Sequence, residues 1–320
     1  SSALQGAVHA KNIRVQNCDW AVFVLNEALT PYQVRKAGDV LSSVLPVLRE
    51  RRSDEAVGII QALLNKKTSE FFDNSIKQMV AYIAASKVYP EADYLCGKVY
   101  QIEGEYDLAM NFYDSAVKNS DYLDIPETKY EILYTMADMA LQQKNLKNYE
   151  EYLLNILNDD TEYFKNTPFK NALLRTIDSQ TDKAPVEKFF LLYRADSSYY
   201  SKAYYLLSKY YQNAQEFDKA VFASSLSSLT LFTHIYKIIK VRNPKYVYSD
   251  LSGFFAEIQK YKDITDWSAV NNLWDSFLDF AQLAKIRGDN LFATQLLTII
   301  EKSAPDEYWK KKAFVLLNSH

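Results

Sequence analysis

Three histidines (His9, His234, His320) and two cysteines (Cys18, Cys96) are all the imidazole and thiol in 320 residues. Zinc sites gather closely spaced Cys and His, and a Ser or Cys nucleophile needs a base beside it. His234 stands alone in Leu231-Phe232-Thr233-His234-Ile235-Tyr236, a mostly apolar helical stretch, and reads as a core or groove histidine. His9 and His320 lie near the ends and read as solvated. The cysteines are 78 residues apart with no second pair, so they read as small buried hydrophobes, not metal ligands. Acid–base work could fall to the carboxylate pairs Glu150-Glu151 and Asp159-Asp160, since two flanking carboxyls suffice for glycoside hydrolysis. With 40 acidic residues such pairs arise by number alone, and the sugar-stacking side chains are limited to Trp20, Trp267, Trp274 and Trp309. No Gly-x-Gly-x-x-Gly, phosphate loop or Ser-centred elbow is present. The expectation is no catalytic residue, no cofactor and no metal.

Charge narrows the partner. Lys plus Arg is 37 against 40 Asp plus Glu, a net −3, whereas a nucleic-acid binder usually carries a basic face. The basic runs Arg49-Glu50-Arg51-Arg52 and Lys310-Lys311-Lys312 are short enough to be solvated helix surface. The most apolar run, Leu226 to Ile239, is broken by Ser, Thr, His and Lys and falls short of the ~18–20 apolar residues of a membrane span. The chain opens Ser-Ser-Ala without Met, and its Lys-, Tyr-, Asn- and Phe-rich composition suits an AT-rich bacterial genome. Both features lead to the expectation of a trimmed bacterial envelope or periplasmic chain, such as a lipoprotein, in preference to a cytoplasmic one.

The elements that must position any site are helical. Gly and Pro total only 15, which starves β-turns of the residues they need. Apolar residues recur at three and four, as in Ala203, Leu206, Leu207, Tyr210 and Tyr211. Pro31, Pro90, Pro126, Pro168, Pro185, Pro244 and Pro305 mark segment edges, and Pro46 a kink or helix start.

One pattern returns along the chain. It joins a small residue mid-helix, a turn, and a second helix with Ala followed by apolar residues. The fullest copy has Gly97, Tyr100, Gly104, Tyr106, Ala109, Tyr113 and Ala116. A second has Tyr204, Leu207, Ser208, Tyr211, Phe217, Ala220, Ser224 and Ser227, and a third has Phe277, Ala281, Ala284, Gly288, Ala293, Leu297, Ile300 and Pro305. This resembles the tetratricopeptide repeat family, whose helix–turn–helix unit carries a large residue, Leu-Gly, Tyr, Ala, an aromatic, Ala and Pro at fixed offsets. The chain departs from it at Asp93, where a large residue is usual, and at Ala284, where Tyr is usual. Successive anchors Ala21, Ala56, Ala109, Tyr149, Ala220 and Ala293 predict degenerate repeats over 165–195 and 244–262, and an extra helix near 71–88.

The resemblance implies an all-α, right-handed superhelical solenoid: N-terminal hairpins over 1–66, an inserted helix over 67–89 and the main solenoid over 90–320. It also implies a non-catalytic scaffold or adaptor that holds a peptide or partner protein in a concave groove lined by the first helix of each hairpin. The inward slots there are Tyr94, Lys98 and Gln101; Tyr134, Asp138 and Leu141; and Tyr205, Lys209 and Gln212. The tyrosines either face that groove or pack between neighbouring helices. Two other readings stay open: a closed superhelix binding a small molecule or lipid, and a helical-toroid hydrolase with paired carboxylates.

Overall fold

The structure, a computed structural model, describes residues 2–28, 88–161, 163–192 and 198–319, with backbone alone at 2, 17–28 and 198. The expectations for Ala56, for Pro31 and Pro46, for the basic run at 49–52, for most of the inserted helix and for His320 lie outside the described residues. Those residues are all-α: helices joined by turns, without a strand among them. Among the described residues no helix is long and apolar enough to cross a membrane. The chain forms two compact units, Ser1–Gln143 and Lys144–His320, and the division falls inside the stretch 90–320.

The first unit contains α1 (Ser2–Ala28), α2 (Pro90–Glu103), α3 (Tyr106–Lys118) and α4 (Thr128–Gln142). Helices α2 and α3 form a hairpin, and α1 packs on α2. Small side chains allow this approach: Ala7, Ala92 and Cys96 are buried together, with Leu4, Tyr89 and Phe112 against them. Cys96 is a free thiol, and burial pushes its pKa up. Asp93, which stands where the repeat pattern has a large residue, is buried and has a specific task. Its carboxylate accepts from Lys11 Nζ at 2.6 Å and from Ser115 Oγ at 2.9 Å, tying α1 to both helices of the hairpin.

The second unit contains α5 (Leu146–Leu157), α6 (Thr167–Ile177), α7 (Pro185–Phe190), α8 (Ser198–Asn213), α9 (Phe217–Arg242), α10 (Leu251–Ile258), α11 (Lys262–Val270), α12 (Leu273–Arg287), α13 (Asn290–Ser303) and α14 (Glu307–Asn318). Helices α6, α7 and α10 fall in the stretches 165–195 and 244–262 where degenerate repeats were expected, and α11 begins only at the edge of the second. Helix α9 lies between α8 and α12 and is buried on every side from Ala220 to Thr233. It can be so because its polar residues are small and, Ser224 excepted, engaged. Ser225, Thr230 and Thr233 donate back to carbonyls of their own helix, and Ser227 and Ser228 meet Ser276 of α12 at 3.0 and 3.2 Å. Phe189 and Phe190 of α7 plug into Phe280, Phe292, Phe232 and Phe277, with ring centroids 4.9–5.5 Å apart.

Three hairpins share one turn: α2–α3, α8–α9 and α12–α13. Each places a single residue in the left-handed region, Gly104 (φ 81°), Gln215 (φ 60°) and Gly288 (φ 106°). In each, the next amide donates back to the first helix at 2.9 Å: Glu105 to Tyr100, Glu216 to Tyr211, Asp289 to Ala284. Lys144 (φ 59°) has the same backbone. The residue five positions after each, namely Ala109, Tyr149, Ala220 or Ala293, is buried. Four of the six anchors read from the sequence, Ala109, Tyr149, Ala220 and Ala293, therefore share one structural register.

Candidate partner-binding face

In that register Tyr94, Tyr134, Tyr205 and Leu278 are equivalent, as are Lys98, Asp138, Lys209 and Gln282. The structure shows what occupies each slot. In the first unit the Tyr94 ring is half-buried 5.9 Å from the Tyr113 ring, and Lys98 Nζ lies 4.2 Å above it. Gln101 Oε1 accepts the Tyr113 hydroxyl at 2.6 Å. Tyr94 and Gln101 thus serve packing within their own hairpin. On α4, Tyr134 is half-buried, while Asp138 and Leu141 are exposed.

In the second unit Tyr205 and Lys209 meet a charged cluster. Lys209 Nζ lies 2.5 Å from Asp279 Oδ2 and 5.6 Å over the Tyr205 ring. One turn earlier on α12, Asp275 faces Lys312 of α14 at 3.4 Å. Lys312 also lies 4.6 Å over the Tyr308 ring. Beside these groups opens a cleft of about 400 Å³ between α12 and α14, lined by Leu278, Gln282, Tyr308, Lys311, Val315 and Leu316 together with Asp275, Asp279 and Lys312. Gln212, on the last turn of α8, is half-buried and is not among the lining residues.

Burial pushes the Asp279 carboxyl above its ordinary range, and the hydrogen bond and charge of Lys209 oppose this. The Tyr205 phenol is raised by burial first, then by Asp279 and Asp275. Lys312 is held above its usual value chiefly by the Tyr308 hydroxyl, with Asp275 adding to it. The floor is apolar and the rim carries both signs.

The sequence reading missed Tyr308 and Lys312, although they repeat the Tyr-x-x-x-Lys spacing of Tyr94–Lys98 and Tyr205–Lys209, each with the ammonium over the ring. It also missed Asp275 and Asp279, whose four-residue spacing puts both on one helix face. The other candidates are absorbed elsewhere. Asp160 is buried and accepts the Tyr204 hydroxyl at 2.5 Å, and Glu150 accepts those of Tyr211 and Tyr210 at 2.8 and 3.3 Å. His234 is half-buried and stacks on Trp267 with centroids 4.4 Å apart, and His9 is exposed.

The chain matches no protein-family model. It is 27% identical over 317 residues to an uncharacterized protein of Treponema pallidum (strain Nichols), covering 98% of this chain and 84% of the relative. An uncharacterized protein of Borreliella burgdorferi (strain ATCC 35210 / DSM 4680 / CIP 102532 / B31) is 25% identical over 229 residues, 65% of this chain and 70% of the relative. No solved structure is significantly similar.

Proposed function

We propose that the chain is a right-handed solenoid of tetratricopeptide-like hairpins. It acts as a non-catalytic adaptor that holds a protein segment along the faces of the first helices. The observation that carries this reading is the α8–α12–α14 cluster. The inward slots of α8 (Tyr205, Lys209) and of α12 (Leu278, Gln282) converge with Tyr308 and Lys312 on one face, beside an open cleft. Lys209 and Lys312 are paired with Asp279 and Asp275, so they shape a mixed-charge rim. A lone cationic clamp for a terminal carboxylate would leave them unpaired. The partner is accordingly an extended or helical peptide segment with side chains of both signs around apolar anchors.

The test is photo-crosslinking in the native cell from a benzophenone side chain placed at Gln282 or Lys311, with Thr294 of α13 as the comparison site. A defined partner should crosslink from the cleft and be lost with Tyr308→Ala/Val315→Glu, two exposed positions whose change leaves the core untouched. The same products from Thr294, or products indifferent to the double variant, would sink the reading.

A further inference from the structure

A second cavity of about 400 Å³ opens among α5, α6, α8 and α9, apart from the cleft above. Leu157, Phe164, Leu174, Leu207 and Phe222 line it together with the rings of Tyr204 and Tyr211. Both tyrosine hydroxyls are already committed, Tyr204 to Asp160 at 2.5 Å and Tyr211 to Glu150 at 2.8 Å. Neither hydroxyl is therefore a polar handle for the cavity, and the Tyr204 ring is itself fully buried behind its wall. Its size sits near the lower end of the roughly 300–1,000 Å³ typical of small-molecule sites.

Polarity is confined to Lys170, Asp218 and Lys219. Lys219 is paired with Glu216 and lies 5.0 Å over the Tyr211 ring. Asp218 faces Arg287 at 3.9 Å. Lys170 Nζ lies 4.6 Å over the Phe222 ring, so it has an aromatic face below it and its remaining donors above. Apolar walls edged by Lys170, and by Lys219 already paired with Glu216, fit an apolar body that carries a single negative head. Two ammonium groups over the ring faces disfavour a cationic ligand, which those faces would otherwise attract.

We propose that this cavity binds an amphipathic monoanion, a medium-chain or aryl carboxylate, with its apolar body against Phe164, Leu174 and Phe222 and its carboxylate on Lys170. The reading is independent of the peptide-binding face, since none of these residues lines that cleft.

The test is isothermal titration of the full chain with decanoate, decanol and decyltrimethylammonium. Decanoate should bind one-to-one, the alcohol more weakly, and the cation least. Lys170→Glu, an exposed change, should weaken decanoate about five- to tenfold and leave decanol unchanged. Leu174→Trp should fill the cavity and abolish both, with the circular dichroism spectrum of the variant checking its fold. Equal affinity for all three amphiphiles, decanoate binding indifferent to Lys170→Glu, or no saturable binding would each overturn the proposal.

Discussion

Gly97 shows how one missing methyl group can determine a hairpin. A Cβ built there falls 2.5 Å from both Cδ1 and Cε1 of Tyr113, a ring that is fully buried and tethered to Gln101. The ring has nowhere to retreat, so Gly97→Ala should destabilise the α2–α3 hairpin by about 1–3 kcal/mol through overpacking. That outweighs the ~1 kcal/mol by which Ala favours a helix. Gly6 on α1 has nothing within 4 Å, so Gly6→Ala should stabilise slightly. Hydrogen exchange of the α2 and α3 amides reads the loss locally. In a double-mutant cycle with Tyr113→Leu the cost should largely vanish. A neutral or stabilising Gly97→Ala would show that the ring yields. The small residue at this position was legible in the sequence because a repeat pattern marked it. The collision partner was partly legible too, since Tyr113 stands at the matching slot of the second helix. The Asp93–Lys11 pair was not legible, because it joins residues 82 apart and only packing brings them together.

At the scale of elements, the turns explain why some hairpins stood out and others did not. Gly104 and Gly288 announce a left-handed residue by their type, whereas Lys144 and Gln215 hold the same conformation with side chains that carry no such signal. Likewise Tyr205 and Lys209 were found by spacing along one helix, but Asp275, Asp279 and Tyr308 join them only across helices. Arg287, just before the Gly288 turn, is a case of such assembly. Its guanidinium bonds Asp178 at the end of α6 and Asp289 at 2.6 Å, with Asp218 of α9 at 3.9 Å. Burial raises the Asp178 carboxyl, and Arg287 is what opposes the rise. Removing the cation leaves three acids converging, of which only Asp289 is buried, so Arg287→Met should cost about 1–2 kcal/mol once solvent screening of Asp178 and Asp218 is allowed for. The sign of its pH dependence follows. Without Arg287, the folded-state pKa of Asp178 rises further above its unfolded value, so the variant regains stability as that group protonates. Melting curves should therefore show the gap to wild type narrowing from neutral pH toward about pH 4. A gap of constant width would mean the three carboxylates do not repel through this site.

At the scale of the whole molecule, the buried tyrosines are an alkaline liability. Tyr113 in the first unit and Tyr246 in the second are pushed up to about 12, each chiefly by burial. Tyr204, Tyr211 and Tyr248 are raised further, by burial and by the acids that accept their hydroxyls: Asp160, Glu150 and Glu187. An unfolded phenol ionises near 10. Below that pH both states keep these protons and the buried phenols contribute in full. Above it the unfolded chain loses protons that the folded chain retains, so stability falls as pH rises. The denaturation midpoint should thus hold to about pH 9 and drop steeply beyond about pH 10. Among the described residues the raised phenols are concentrated in the second unit, which should therefore unfold first. Phenolate absorbance should show a population that appears only as helical circular dichroism is lost. Tyr204→Phe and Tyr248→Phe should flatten the alkaline slope. Each should also lower stability at neutral pH by about 1–3 kcal/mol, because Asp160 or Glu187 loses a hydroxyl donor. A single phenolate transition near pH 10 with the helical signal intact would mean that these hydroxyls are solvated, and that the carboxylate–tyrosine pairs do not hold α8 against the loop at Asp160.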